Sequence, residues 1–416
     1  MNRVLGLLII FISLLSCERE SQESKYHRME DPPLVLIRQP YLQCNFSDSV
    51  IVAWKTTNAA TSGHIEYSID GKTFIKKEAI VEHQTANTMS YVTIKNLKPN
   101  VKYSYRIFNN GELMSENPDN YFYSAESISN KFSFLSIADV GQPPHWNGHQ
   151  DETAEQMFKI DPKPNFVLGL GDIVYPEGSS LEADRNFFDH FGQMFTNTPI
   201  YTVLGNHDYK SDIDKNFFQE WFLPGNKHYY SFDYGNAHFI GLDSGDDHGF
   251  YDEKNQFAWL EEDLVCAQDK GDWIIVFLHH TGRTCTSKAF ETDVFKIYGL
   301  FAKYNVDLVL NGHAHTYERV KPLGANGNPI KELKDTELVY PEISNGFISI
   351  TAGSGGRVSK SKGDFDFEAC KNEYLVRAID KLGFLSISID GKILSSQFIS
   401  SESGKVLDHF QINKNL

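Results

Sequence analysis

Apolar and polar residues alternate with a period of two through the first part of the chain. Segments 50–56, 64–69 and 89–94 and the series Val101, Tyr103, Tyr105, Ile107 carry the pattern, and Asp70-Gly71 and Asn109-Asn110-Gly111 interrupt it. Alternation of this kind suits a strand with one buried face, and Asp-Gly and Asn-Gly are strong hairpin signals. With no helical period in this region, residues 34–125 are predicted to form a small antiparallel β-sandwich, a positioning module without chemistry of its own.

A different rhythm begins near residue 131. Short apolar runs at 132–138, 166–170, 200–204, 274–278 and 306–310 are mostly followed by polar or glycine-rich turns. Helix-compatible stretches lie between them at 147–160, 182–195, 252–268 and 289–304. Strand, turn and helix in succession predict an α/β domain over 131–416, whose ligand sites gather beyond the carboxyl ends of the strands. Strand patterns return at 347–351, 374–379, 383–389 and 392–399, with a hairpin signal at Asp390-Gly391. No internal repeat or heptad run suggests a solenoid or a coiled coil.

The chain opens differently again. Asn2 and Arg3 precede an apolar run at 4–15 that ends in Leu14-Leu15-Ser16-Cys17. The run is too short to span a bilayer and reads as an export signal. Its ending resembles the lipobox of bacterial lipoproteins. That resemblance implies removal of residues 1–16, lipidation of Cys17, a polar tether over 17–33, and an exported protein anchored to a bacterial membrane on its periplasmic or cell-surface face. The other cysteines, Cys44, Cys266, Cys285 and Cys370, have no paired spacing, so neither a zinc knuckle nor a disulfide pairing can be read from them.

Charge narrows the chemistry. The 416 residues include 39 Lys and Arg against 55 Asp and Glu, a net charge of -16, so no nucleic-acid partner is expected. An anionic ligand would have to be held locally, by a metal or a small basic cluster.

The strand ends supply candidates. In order they present Asp139-Val140-Gly141, Gly171-Asp172-Ile173-Val174-Tyr175, Gly205-Asn206-His207-Asp208, His279-His280 and Gly312-His313-Ala314-His315. Any one alone is an ordinary turn. Five in succession form a set of oxygen and nitrogen ligands for hard-to-borderline metals, and there are more of them than one ion needs. Two ions about 3.5–4 Å apart, sharing one carboxylate, would use the surplus.

This motif series resembles the calcineurin-like metallophosphoesterases and, within them, the purple acid phosphatases. Tyr175, three residues after Asp172, matches the purple subgroup, as do Tyr317-Glu318-Arg319 and Gly353-Ser354-Gly355-Gly356. Leu97-Lys98-Pro99-Asn100 ahead of Val101-Lys102-Tyr103 looks like a fibronectin type III domain. The implied architecture is a fibronectin type III-like β-sandwich followed by a four-layer α/β/β/α metallophosphoesterase domain.

The resemblance also implies roles. Asp139, Tyr175 and His315 would hold one ion, Asn206, His279 and His313 the other, and Asp172 would bridge them. Phenolate, carboxylate and imidazole suit Fe(3+) at the first site, and the second suits Zn(2+), Mn(2+) or Fe(2+). The implied reaction is hydrolysis of phosphate monoesters, small phosphate esters being the substrates, by in-line attack of a metal-bound hydroxide. A phosphodiesterase or nucleotidase would share the centre, and a cell-surface binding module with a vestigial site is a third reading. His207 is implied to bind phosphate or protonate the leaving oxygen, oriented by Asp208, with Asn206 also near substrate. A one-residue register change would exchange His279 and His280, and His280 is a substrate-contact candidate. Thr281-Gly282-Arg283-Thr284 stands where many plant members have a proline-containing loop, which introduces Arg283 as a phosphate-contact candidate. His145 follows the first motif closely enough to line the mouth of the site.

Overall fold

The N-terminal alternation folds into two antiparallel sheets. One orders strands Leu36–Gln43, Ser49–Thr57, Asn87–Lys95 and Ile80–His83, and the other is centred on Gly63–Ser68 and Lys102–Asn109. Val50, Val52 and Trp54 from the first sheet meet Ile65, Tyr105 and Ile107 from the second, as period-two packing requires. The Trp54 indole N–H donates to Asn109 Oδ1 at 2.6 Å, so the buried ring leaves no unmade hydrogen bond. The computed structural model describes residues 33–126, 129–270, 273–288, 293–331, 338–359, 370 and 373–416. The export signal, Cys17 and the tether therefore lie outside the described residues, apart from Pro33 at the tether's end. No helix among the described residues is long and apolar enough to cross a membrane.

The Ser49–Thr57 strand is buried on both faces between Val52 and Thr56, beyond what alternation predicts. Its second face is covered by the α/β part, where Ala53, Tyr41 and Met89 join a core shared with Phe187, Phe188 and Trp221. Lys55 lies on that second face and is buried, as is Arg38. Both are met by carboxylates. Arg38 Nε donates to Asp184 Oδ1 and its Nη2 to Glu220 Oε2, each at 2.7 Å. Lys55 Nζ donates to Glu220 Oε1 at 2.6 Å, to Asp184 Oδ2 at 3.0 Å and to Ser180 Oγ at 2.9 Å. Residues 33–416 thus cohere as one compact unit.

Beyond residue 131 two sheets stack face to face. The first runs Ile200–Thr202, Phe166–Gly169, Lys131–Ile137, Gly383–Asp390, Ile393–Ser400, Val406–Asn413 and Val339–Pro341, its first three strands parallel. The second runs Tyr230–Tyr234, Ala237–Gly241, Trp273–Phe277, Leu308–Asn311, Gly346–Ala352, Tyr317–Val320 and Leu375–Ile379, parallel from Ala237–Gly241 through Gly346–Ala352. Phe134 and Leu168 of the first sheet share a core with Phe239, Phe277 and Ile350 of the second. Helices Gln150–Phe158 and Asp189–Phe195 add Ala154, Met157 and Phe191 to that core. Leu260 and Leu264 of helix Glu253–Lys270 and Ile297 and Phe301 of helix Phe295–Lys303 pack with Ile240 and Val276 in another core. The layers are helix, sheet, sheet, helix.

Local details depart from the expected elements. The stretch predicted as one helix over 182–195 begins at Ser179, whose side chain forms a capping box with Glu182, passes through a π-turn at Ala183–Phe188 and continues as Asp189–Phe195. The hairpin of Tyr230–Tyr234 and Ala237–Gly241 has no counterpart in the sequence reading, although alternating Tyr230, Phe232 and Tyr234 ahead of Gly235-Asn236 carry its signal. A disulfide joins Cys285 to Cys370, while Cys44 and Cys266 are free.

Candidate metal centre

The parallel strands of the two sheets deliver their carboxyl ends to one place. Asp139 follows Lys131–Ile137, Asp172 follows Phe166–Gly169, and Asn206 follows Ile200–Thr202. From the other sheet, His279 follows Trp273–Phe277 and His313 follows Leu308–Asn311. Asp139, Asp172 and His313 have left-handed backbones, with φ of 54°, 48° and 67°. Non-glycine residues adopt this conformation rarely, and it concentrates where the surroundings force a side chain into a functional position. Close approach explains the neighbouring glycines: a Cβ at Gly205 would collide with Asp172, and one at Gly312 would press on Ala138 and Asp139.

The seven predicted ligands come together in two groups that meet at Asp172. Tyr175 Oη lies 2.8 Å from Asp139 Oδ1, 2.7 Å from Asp172 Oδ2 and 3.2 Å from His315 Nε2. His279 Nε2 lies 3.2 Å from Asn206 Oδ1, 3.2 Å from His313 Nδ1 and 3.4 Å from Asp172 Oδ2. One carboxylate oxygen of Asp172 therefore faces both groups. Its other oxygen accepts the His207 backbone N–H at 2.7 Å, and Asp139 Oδ2 accepts that of His313 at 2.8 Å. Asp172, His279 and His313 form a set that could hold a metal ion.

Second contacts aim the ligands. His279 Nδ1 sits 2.9 Å from the Leu170 carbonyl, to which it must donate, so Nε2 points into the cluster. Burial opposes ionisation of Asp172, but His279 outweighs it and holds the carboxyl well below its usual range. Burial would lower His279, and Asp172 instead lifts it to about 9. Burial and the Asp139 and Asp172 carboxylates push the Tyr175 phenol well above its ordinary value. Buried carboxylates that draw in any available positive charge, with imidazole nitrogens aimed at the same space, fit a pair of cations.

The residues around this cluster divide. His207 packs on Tyr175 with ring centroids 4.3 Å apart, and its Nδ1 donates to the Pro176 carbonyl at 2.7 Å. Lys210 Nζ lies 3.0 Å from Nδ1 and 3.1 Å from Nε2 of the same ring, a local cation that the sequence reading missed. Asp208 is buried and accepts the Gly205 N–H at 2.9 Å, so it braces the turn that carries Asn206 and His207. Burial and Asp172 raise its carboxyl to about 8. His280 is buried between Ser244 Oγ, 2.8 Å from its Nδ1, and Asp247 Oδ1, 2.9 Å from its Nε2. Burial lowers His280 to about 4, so it is neutral near pH 7.

Arg283 and His145 differ in what they touch. Arg283 Nε donates to the Gly327 carbonyl at 2.8 Å and Nη2 to Asn328 Oδ1 at 2.9 Å, with Phe295 and Tyr374 beneath the guanidinium. These contacts staple the 324–328 turn and occupy the Nε and Nη2 edge of the guanidinium. His145 is exposed and edges Trp146, and it is Trp146 that approaches Tyr175 and His207, at 6.0 and 6.1 Å between ring centroids.

Comparison with known proteins agrees with this geometry. Residues 132–317 match the family Calcineurin-like phosphoesterase, and residues 37–134 match Purple acid Phosphatase, N-terminal domain. The chain carries a calcineurin-like phosphoesterase domain behind a purple acid phosphatase N-terminal domain. Over 360 residues the chain is 27% identical to "Probable inactive purple acid phosphatase 1" of Arabidopsis thaliana, covering 77% of the chain and 57% of that relative. It is 24% identical over 361 residues to "Purple acid phosphatase 21" of the same plant, covering 77% and 78%. The structure of purple acid phosphatase PPD1 from yellow lupin seeds superposes with a TM-score of 0.74 at 19% identity, over 90% of this chain and 74% of the other. The last of these shows the fold alone. One relative's name describes an enzyme and another's an inactive protein, so the residues of the cluster must carry the functional argument.

Proposed function

We propose that this phosphoesterase hydrolyses phosphate monoesters at a centre of two metal ions. The observation that supports this most directly is Asp172 Oδ2, which faces both Tyr175 Oη at 2.7 Å and His279 Nε2 at 3.4 Å and so can serve two ions at once. Asp139, Tyr175 and His315 would hold one ion, Asn206, His279 and His313 the other. When bound, such ions neutralise phosphate oxygens and lower the pKa of water at neutral pH. That chemistry answers the negative charge of the whole chain.

The remaining work falls to side chains. His207 would face the phosphoryl group with Nε2, its ring held by the Nδ1–H bond to Pro176. Lys210, whose Nζ lies 3.0 Å from Nδ1 and 3.1 Å from Nε2 of that ring, would supply positive charge beside the phosphate and give its proton to the leaving oxygen. Trp146 would close one side of the mouth and limit water there. In this reading Asp208 and His280 support the walls, Arg283 holds the 324–328 turn, and His145 stands beside Trp146 at the mouth.

The test is a paired assay. The protein is expected to release phenolate from an aryl phosphate at least tenfold faster than from the corresponding bis-ester, with loss of activity after chelation. Faster cleavage of the bis-ester would move the assignment to a diesterase.

The metal identities are part of the same proposal. A phenol at the Asp139 and His315 group favours a trivalent iron, and the imidazole and amide group favours a divalent zinc, manganese or iron. Elemental analysis is expected to find about one iron and one divalent ion per chain with a broad visible band, and Tyr175→Phe is expected to abolish or shift that band. Full iron occupancy without colour would refute ligation by Tyr175. The apolar run at 4–15 and Cys17 support export and lipid anchoring, with the chain facing the periplasm or cell exterior.

A further inference from the structure

An asparagine offers a cation only one end of its side chain. The amide oxygen is a ligand, while the NH2 carries positive charge and no lone pair to give. Something must therefore choose which end of Asn206 faces the cluster, and the two ends have nearly the same shape. In the structure Nδ2 donates to Asp247 Oδ2 at 3.1 Å and Oδ1 points at the cluster, 3.2 Å from His279 Nε2. Asp247 can only accept, so its carboxylate accommodates the NH2 and rejects the oxygen.

Asp247 is itself held. Its other oxygen accepts His280 Nε2–H at 2.9 Å, and His280 Nδ1 accepts from Ser244 Oγ at 2.8 Å. The His280 backbone N–H donates to that same Oγ at 3.1 Å. Every donor and acceptor in the chain Ser244, His280, Asp247, Asn206 then has one consistent role. Asp247 occupies a left-handed backbone with φ of 78°, and a carboxylate side chain 39% exposed is fixed from both sides.

We infer that Asp247, braced by His280 and Ser244, is a positioning residue that locks the Asn206 amide with its oxygen toward the second metal position. This rests on the two-metal reading above. It also gives His280 a role other than substrate contact. The inference concerns the orientation of a ligand, and orienting partners of this kind change metal affinity by roughly 10–100-fold when removed.

The test is zinc titration of the chelator-stripped protein against a competing chromogenic chelator, on the parent, Asp247→Ala and Asp247→Asn. The parent should bind two zinc ions. Asp247→Ala should weaken the second by about 10–100-fold and leave the first within about twofold, with the metal-free melting temperature little changed. Asp247→Asn keeps the shape and packing, and its uncharged amide can satisfy only one of the two donors, so it should weaken the second ion by a smaller factor. It decides the matter if the alanine variant does not fold. His280→Gln should also weaken the second ion, and Asp246→Ala should not. Second-ion affinity in Asp247→Asn within twofold of the parent would overturn the inference while leaving the two-metal reading intact. Three ions in the parent, with one lost on changing Asp247, would overturn it in favour of direct ligation by Asp247, His280 and His313, which could also hold an ion. Fewer than two ions in the parent would instead refute the two-metal reading itself.

Discussion

Asp172→Asn is expected to lower kcat for an aryl phosphate by about 1,000-fold or more while the protein stays folded. The substitution keeps size and shape, and an asparagine Oδ1 can still accept the His207 N–H now found at 2.7 Å. What changes is the oxygen that faces both halves of the cluster. An amide either presents a neutral, weaker oxygen there or turns its NH2 toward Tyr175 and His279. In both cases the site loses the negative charge that would lie between two cations. Metal content should fall with activity, and circular dichroism should match the parent. Activity within tenfold of the parent, with the same metal content, would sink the shared role of Asp172.

The second large effect is on stability. Glu220→Gln is expected to destabilise the protein by about 3–5 kcal/mol, read from the urea midpoint at pH 7, because it leaves Lys55 and Arg38 buried against Asp184 alone. Arg38, Lys55 and Glu220 are sealed from solvent, so screening by water does not soften the loss. Replacing all four charged side chains by apolar ones of similar volume should recover much of it, since the intact network owes little net stability to its charges. Burial would raise the Glu220 carboxyl, but Arg38 and Lys55 outweigh it and hold it below the ordinary value. A group depressed in the folded state stabilises above its unfolded pKa, about 4.3 for glutamate, and that contribution is lost as pH falls through the folded value. The parent should therefore lose more stability than Glu220→Gln on acidification below about pH 4. A change under 1 kcal/mol at pH 7 would show that the network is not a unit.

This network also connects the sandwich to the cluster. Ser180 and Asp184, gripped by Lys55, lie just ahead of Asn186, whose Nδ2 donates to the Tyr175 carbonyl at 2.7 Å. The sandwich thus braces the turn that carries one of the candidate ligands. The sandwich, read from sequence as a positioning module, contributes in this way to the position of Tyr175.

Much of the catalytic half was legible because its information is local. Asp139, Asp172, Asn206, His279 and His313 each follow an apolar strand run within a few residues, and parallel strands bring such ends to one edge whatever the loops do. The register at His279-His280 followed from where the Trp273–Phe277 strand stops, and the structure turns the first imidazole inward and the second toward Ser244 and Asp247. Asp247 escaped notice for a traceable reason. The Ala237–Gly241 strand that precedes its loop is not among the apolar runs that the sequence pattern predicts, so its end yields no candidate ligand.

The amino-acid sequence by itself determined the α/β frame, the sandwich before it and the five strand-end motifs, because period, turn residues and strand-end position are properties of neighbouring residues, and the resemblance of those motifs to a known family implied the seven candidate ligands. Only the tertiary structure decided which buried charges meet. Arg38 finds Glu220 across 182 positions and Lys55 finds it across 165. Alternation can say that Lys55 shares a face with Ala53, but not that a second domain covers that face with two carboxylates. The same limit holds for Arg283, whose donors are taken by Gly327 and Asn328, and for the pairing of Cys285 with Cys370. A charged side chain acquires its role from what desolvates and answers it, and those partners come from strands and loops that the chain brings together only on folding.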